Sequence, residues 1–279
     1  MTEIGRLNTL RVTRKLGNGV TLDGGAAGEI FLSNKSVPEP CSPGDTVEVF
    51  VYVNKAKGLQ ATTQRPYAIV GQLARLRVVA NSSAGTYLDW GLPKDLLVPL
   101  REQQVKMEVG RDYVVFVFLD EDTQSIAASS KLEKFIDRSY PEYTVGEEVE
   151  LFVCDRTELG YRAAVNDAHW GLLYENEVFQ ELRIGQRLKG YIKAVRDDAK
   201  IDLSLQPAGY QKVDGVARGI LRKMADLGGR AAVTGKSPPE EIYALFGVSK
   251  KTFKMAIGAL YKKRLITIDE KGMTLVPKG

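Results

Sequence analysis

The sequence has a single histidine, His169, and only two cysteines, Cys41 and Cys154, among 279 residues. That scarcity removes most metal chemistry, because no Cys/His cluster has the ligand spacing of a zinc site. The cysteines stand far apart, as expected of inert, half-buried thiols in a reducing cytoplasm rather than of a disulfide scaffold. No loop of the G-x-x-x-x-G-K-S/T type is present to cradle a nucleotide phosphate. His169 stands before Trp170-Gly171 and reads as a turn residue, not a base. The acidic pairs Glu147-Glu148 and Asp197-Asp198 fall at strand edges or turns and are not taken as a nuclease centre. No apolar run approaches the roughly 18 residues of a membrane-spanning helix, and the opening MTEIGRLNTL has no basic segment followed by an apolar core. The expectation is a cytoplasmic protein without membrane contact, cofactor, metal or catalytic centre, its oligomeric state left open with a monomer favoured.

What is present instead is repetition. Gly44–Val53, Gly110–Asp120 and Gly185–Val195 each open on Gly and a polar pair, then run through β-branched and aromatic residues in near alternation, which predicts three strands. A second Gly-led strand begins 39 residues upstream of each, at Gly5, Gly71 and Gly146. Downstream, each copy ends in a short related segment: Leu59–Thr62, Ile126–Ser129 and Ile201–Ser204. In the first copy Asn18-Gly19 turns into Val20–Asp23, a third strand follows near Gly28–Lys35, and Pro38, Pro40 and Pro43 keep the next loop irregular. Five strands with the longest connection between the third and fourth is the order of an OB-type Greek-key barrel. The barrels are expected over 1–66, 67–135 and 143–207, joined by the short linkers Gln64-Arg65-Pro66 and Phe135–Tyr143, which favour side-by-side packing.

Residues 212–279 change period. Val213–Leu227 sets Val216, Ile220, Leu221, Met224 and Leu227 on one helical face, and Gly228-Gly229 ends it. Ser237-Pro238-Pro239-Glu240 predicts an N-cap and a second helix through Ile242, Leu245 and Phe246. Ser249 then caps a third helix, Lys250–Lys263, with Phe253, Ile257 and Leu260 as its buried stripe. Leu265–Ile268 and Met273–Val276 predict a hairpin. Three helices and a hairpin, with a tight turn between the second and third helices, form a winged helix.

Charge is uneven. The net charge is +4 overall, yet 14 basic residues against 6 acidic ones make 208–279 strongly positive, while 8 against 13 make 141–207 negative. Such a basic end implies a polyanionic partner, most simply nucleic acid.

The three repeats, with their second strand typified by Gly85-Thr86-Tyr87-Leu88-Asp89 and their closing I-x-h-S strand, resemble the RNA-binding domain first described in ribosomal protein S1. Three such units followed by a helical domain resemble the bacterial conserved virulence factor B family. The implied fold is mainly β: three tandem S1-like OB-fold barrels and a small α+β winged-helix domain. The resemblance also implies that RNA is held by aromatic rings under the bases and basic groups along the backbone. The family's second-strand ring position falls on Thr21, Tyr87 and Arg162, and its third-strand position on Ile30, Leu96 and Leu172, so only Tyr87 keeps a ring. Arg6, Arg11, Arg14, Arg75 and Arg77 are candidate phosphate contacts, and the acidic third barrel is expected to serve mainly as a spacer. The stretch GVSKKTFKMAIGALYKKRLI resembles a recognition helix, with Lys250, Lys251 and Lys254 near its N-terminal end, Lys262, Lys263 and Arg264 at its C-terminal end, and Lys271 at the wing tip.

These readings favour a non-catalytic RNA-binding protein, a post-transcriptional regulator preferring single-stranded RNA. A DNA-binding transcriptional regulator and a scaffold on ribosomes or RNA polymerase are the alternatives.

Overall fold

The six glycines at 39-residue spacing hold the architecture. In the computed structural model, which describes residues 2–54, 58–178, 180–207, 210–270 and 272–276, all six have left-handed backbone, with φ of +78° and +100° for Gly5 and Gly44, +92° and +84° for Gly71 and Gly110, and +90° and +88° for Gly146 and Gly185. Only glycine adopts this conformation without a steric cost. The N–H groups of Gly5, Gly71 and Gly146 donate to Val51, Val117 and Ile192 O, at 2.7, 2.8 and 2.7 Å. Those of Gly44, Gly110 and Gly185 donate to Val12, Val78 and Val153 O, at 2.8, 2.9 and 2.7 Å. Each pair therefore closes the two ends of one antiparallel ladder, which is why the interval is constant.

The first barrel comprises β1 (Leu7–Leu16), β2 (Gly19–Asp23), β3 (Glu29–Ser33), β4 (Thr46–Val53) and β5 (Leu59–Thr62). The second comprises β6 (Leu73–Asn81), β7 (Gly85–Asp89), β8 (Leu96–Pro99), β9 (Asp112–Asp120) and β10 (Ser125–Ser129). The third comprises β11 (Glu148–Thr157), β12 (Gly160–Val165), β13 (His169–Tyr174), β14 (Arg187–Val195) and β15 (Ile201–Ser204). All three close in the order first, second, third, fifth, fourth. The third and fifth strands run parallel and every other pairing is antiparallel. A bulge recurs in the first strand of each barrel, between Val12 and Arg14, Val78 and Ala80, and Val153 and Asp155. It bends that strand so that it pairs with β2 at one end and β4 at the other, or their counterparts. Alternate residues fill the interior: Val20, Leu22, Ile30, Leu32, Val49 and Val51 are all buried in the first barrel, each side chain contributing roughly 1.5–3 kcal/mol.

The barrels meet through side chains that face outward from one and are buried in the next. Phe50 of β4 lies in the core of the second barrel, edge-on to Trp90 with centroids 5.7 Å apart, while Val70 N donates to Gly5 O at 2.8 Å. At the second junction Phe135 stacks on Phe116 (4.7 Å, 15°) and tilts over Phe118 (5.1 Å, 34°). Asp167 Oδ1 accepts from Leu73 N at 3.0 Å, and Arg187 Nη2 donates to Leu73 O at 2.7 Å and to Asp167. Burial pushes the Asp167 carboxyl up from the usual range, against the pull of Arg187.

The C-terminal unit consists of α1 (Tyr210–Asp226), β16 (Arg230–Ala231), α2 (Pro239–Phe246), α3 (Lys250–Lys262), β17 (Ile266–Asp269) and β18 (Gly272–Leu275). Strand β16 adds to the hairpin, giving the sheet order β16-β18-β17. Ile220, Met224, Ile242, Phe253, Ala256, Ile257 and Leu260 make the core. Ser249 caps α3, accepting from Thr252 N at 3.2 Å.

Several local expectations are corrected. His169 opens a strand and is buried, because the turn falls earlier, at Asn166 and Asp167, both with positive φ. Its ring lies between Tyr143 Oη, 2.9 Å from Nδ1, and Ser139, whose backbone oxygen is 3.0 Å from Nε2. Within the stretch expected to link the second and third barrels, Phe135 stacks as described and Ile136 is buried, while residues 137–140 are exposed. Ser237 does not cap α2. The cap position is Pro238, with Pro239 as the first helical residue, and Ser237 Oγ instead accepts from Thr234 N at 3.0 Å. Leu227 lies beyond the end of α1 and is exposed.

Candidate nucleic-acid interface

The outer surface of each barrel carries one ladder row of side chains running through its second, third, fifth and fourth strands. In the first barrel the paired residues are Thr21, Phe31, Gln60 and Tyr52. In the second they are Tyr87, Leu97, Ala127 and Phe118. In the third they are Arg162, Leu172, Asp202 and Ala194. This register corrects two of the three third-strand positions expected from the sequence, while Leu172 keeps its place in the row. Ile30 and Leu96 point into their cores, so the outward residues beside Thr21 and Tyr87 are Phe31 and Leu97. The apolar run Glu29-Ile30-Phe31-Leu32 does not by itself reveal the phase of the strand, and a one-residue slip exchanges the faces.

The first barrel therefore does present a ring. Phe31 is half-buried and lies across Gly19, where a Cβ would come within 2.8 Å of the ring. Thr21 is buried and occupied with Thr13, their hydroxyls 2.7 Å apart. Tyr87 is half-buried, next to the exposed Val79 at the bulge.

One side of the third barrel's face is consumed, while Leu172 and Ala194 of the row are half-buried. Phe152, Cys154 and Ala164 are buried against Leu73, Phe116, Leu132 and Ile136 of the second barrel's side, with Trp170 packed beside them. Arg162 stands over the Trp170 ring at 4.3 Å and donates to Glu133 at 2.7 Å. Its Nε is buried without a hydrogen-bond partner among the described residues. Asp202, farther along the row, is bonded to Arg196 at 2.9 Å. Burial also pushes the Cys154 thiol up to about 12, leaving it protonated and inert at neutral pH.

The arginines differ in their freedom. Arg14 pairs with Glu29 at 3.0 Å. Arg75 and Arg77 share Asp112 at 3.3 and 3.2 Å, and Arg75 also donates to Ile184 O of the third barrel at 3.0 Å. These three are already engaged. Arg6 is exposed against Gly71 at the first junction, and Arg11 is exposed beside Gly44.

In the winged helix the lysines converge on one side of α3. Lys251, Lys254 and Lys262 are exposed and make no ion pair among the described residues. Lys250 is half-buried and its Nζ donates to Lys236 O at 3.4 Å. The stem of Lys254 passes Gly235. Met255 and Tyr261, 48% and 57% exposed, share the helical face with these lysines by i, i+4 and i, i+7 spacing. Tyr261 is a functional candidate that charge-based reading overlooks. Lys263 is exposed. Arg264 is exposed with φ of +54°, and Leu265 N donates to Leu260 O at 3.0 Å, so Arg264 fills the left-handed position just past the helix. Lys271 lies outside the described residues. Among the described residues no group of three or more His, Cys, Asp or Glu side chains is arranged to hold a metal ion, and no helix is long and apolar enough to cross a membrane.

Two sequence-family models match. Residues 4–64 and 70–129 fit the S1 domain, and residues 218–275 fit the CvfB-like winged helix domain. The conserved virulence factor B proteins of Staphylococcus epidermidis and Staphylococcus aureus are each 24% identical over 285 residues, covering 99% of this chain and 96% and 95% of theirs. The chain is thus similar over nearly its whole length to the conserved virulence factor B proteins. Its third barrel, outside the S1 matches, has the same strand order as the other two. A solved structure from Streptococcus pneumoniae, described as a multidomain protein with nucleic acid binding domains, is 24% identical over 98% of both chains, with a TM-score of 0.39. S1 domains and a winged helix are nucleic-acid-binding modules, and the chain is built of these.

Proposed function

We propose that this chain is a non-catalytic, cytoplasmic RNA-binding protein that regulates gene expression after transcription. Single-stranded RNA is held by the outer faces of the first two barrels and by the basic face of α3. The observation that carries this reading is the inequality of the three faces. Phe31 and Tyr87 keep a ring on an outward row, whereas the third barrel's row carries no ring and its Arg162 is engaged by Glu133 and Trp170. Stacking on protein rings is tolerant of sequence and is worth about 1–3 kcal/mol per base. Each barrel alone therefore binds weakly. The barrels and the winged helix belong to one chain, so their contributions combine through effective concentration.

The test is a pair of fluorescence-anisotropy titrations at several salt concentrations, with a single-stranded RNA dodecamer and a DNA duplex of the same length. Preference for the RNA supports the proposal. Preference for the duplex favours a DNA-binding regulator acting through α3, and absence of binding by either favours a protein scaffold.

A further inference from the structure

Between the first and second barrels lies a cleft of about 320 Å³, near the lower end of the range for small-molecule sites. Tyr52 and Gln60 of the first barrel form one wall, Trp90 and Leu92 of the second form the other, and the exposed Lys35 and Lys94 also line it. Neither lysine makes an ion pair among the described residues.

The second junction shows what such a place accommodates. Phe116 and Phe118 occupy in β9 the positions that Phe50 and Tyr52 occupy in β4, since Phe116 pairs with Ser129 as Phe50 pairs with Thr62. Six residues after Ser129 comes Phe135, whose ring covers both phenylalanines. Six residues after Thr62 comes Ala68, whose side chain ends at Cβ. Phe135 thus covers both rings at the second junction, whereas at the first Trp90 meets Phe50 edge-on and, among the described residues, no ring of the second barrel stacks on Tyr52, which lines the cleft.

We infer that the cleft between the first and second barrels takes one unpaired nucleobase, stacked on Tyr52 much as Phe135 lies over Phe118. Gln60 offers amide donors and an acceptor to the base edge, and Lys35 and Lys94 face the flanking phosphates. Phe31, Gln60 and Tyr52 are successive members of one ladder row, so the two rings are separated by two strand spacings, roughly 10 Å. One RNA strand reaches both. The inference rests on the RNA-binding reading and adds a defined base subsite to it.

The chain has two tryptophans, and Trp90 lines the cleft while Trp170 lies against Arg162. The full chain carrying Trp170→Phe is titrated with a fluorescein-labelled uridine dodecamer, following anisotropy and Trp90 emission together. The expected result is quenching of Trp90 with the same midpoint as the anisotropy rise, and a loss of affinity on the order of tenfold in Tyr52→Ala. Lys35→Ala with Lys94→Ala changes only exposed side chains and is expected to weaken binding and flatten its salt dependence. If the anisotropy rises while Trp90 emission and the affinity of these variants stay unchanged, the strand lies elsewhere. The cleft assignment is then overturned and the RNA-binding reading survives. If neither signal moves, both are overturned.

Discussion

Replacing Lys250, Lys251 and Lys254 together by alanine gives the most direct reading of how the winged helix acts. The three residues occupy the first two turns of α3, and none forms an ion pair among the described residues. The protein therefore has no internal counter-charge to lose there, and the change in stability is expected to stay within about 0.5 kcal/mol. Binding is different. Each phosphate neutralised on a single strand contributes about 0.7 to the slope of log affinity against log salt, so three contacts contribute about 2. Over a fourfold rise in salt, from about 50 to 200 mM, those contacts alone account for roughly a twentyfold loss of affinity. The triple variant should bind less tightly at low salt and lose that much less on going to high salt. Arg77→Ala is the control: its guanidinium already pairs with Asp112 at 3.2 Å, and its removal should leave the slope unchanged. The assay is the RNA anisotropy titration at five or six salt concentrations, with melting curves recorded in parallel. An unchanged slope in the triple variant, with its melting temperature preserved, would refute the assignment of these lysines to phosphate.

Phe31→Ala should weaken single-stranded RNA binding on the order of tenfold with little change in salt slope, because it removes a ring and no charge; a change in slope without loss of affinity would contradict this. Arg264→Gly should raise the stability of the C-terminal unit by about 1 kcal/mol, since glycine occupies the left-handed position without strain, and unchanged thermal melting would refute it. Asp120 accepts from the N–H groups of Thr123 and Asp122, at 3.0 and 3.1 Å, and from Arg101 at 2.8 Å, and these bonds hold its carboxyl below the ordinary value. A depressed carboxylate gives stability that is full above the unfolded pKa, about 3.9, and is lost as pH falls through the folded one. Asp120→Asn should therefore flatten the acid limb of the stability curve below about pH 4, read by urea melts from pH 2 to 7. Asp167→Ala should cost about 1–3 kcal/mol, because Leu73 N–H then loses its partner inside the junction; equal urea midpoints for variant and parent would count against it.

How far the sequence discloses this molecule depends on the range of the interaction that fixes each feature. The barrels are legible because their markers are local and repeated: glycines with left-handed backbone at both ends of one ladder, with alternating residues between them. The capped α3 is legible for the same reason, since Ser249 and the stripe of Phe253, Ile257 and Leu260 lie within one segment. Strand β16 is only two residues long and exists through pairing with Met273 and Thr274, so no local pattern announces it. The phase of β3 is hidden because Ile30 and Phe31 are both apolar, and only the pairing of Leu22 with Ile30 decides which one faces solvent. The functional consequence is large, since it places a second ring on a row that already holds Tyr52.

The occupation of the third barrel's face is a still longer-range matter. It depends on Glu133 meeting Arg162 and on Leu73 meeting Asp167, partners 29 and 94 residues apart. The acidic balance of residues 141–207 pointed to a barrel poorly suited to RNA, but electrostatics supply only half of the reason. The other half is steric: Phe152, Cys154 and Ala164, beside the Arg162 end of the row, are buried against the second barrel, and Arg162 itself is held by Glu133 and Trp170. Removing negative charge alone should therefore not create a binding face there. Asp202→Asn with Glu133→Gln is expected to leave RNA affinity within about twofold of the parent, because Phe152, Cys154 and Ala164 remain covered. A gain of an order of magnitude in the anisotropy titration would show that charge, not burial, keeps RNA off the third barrel.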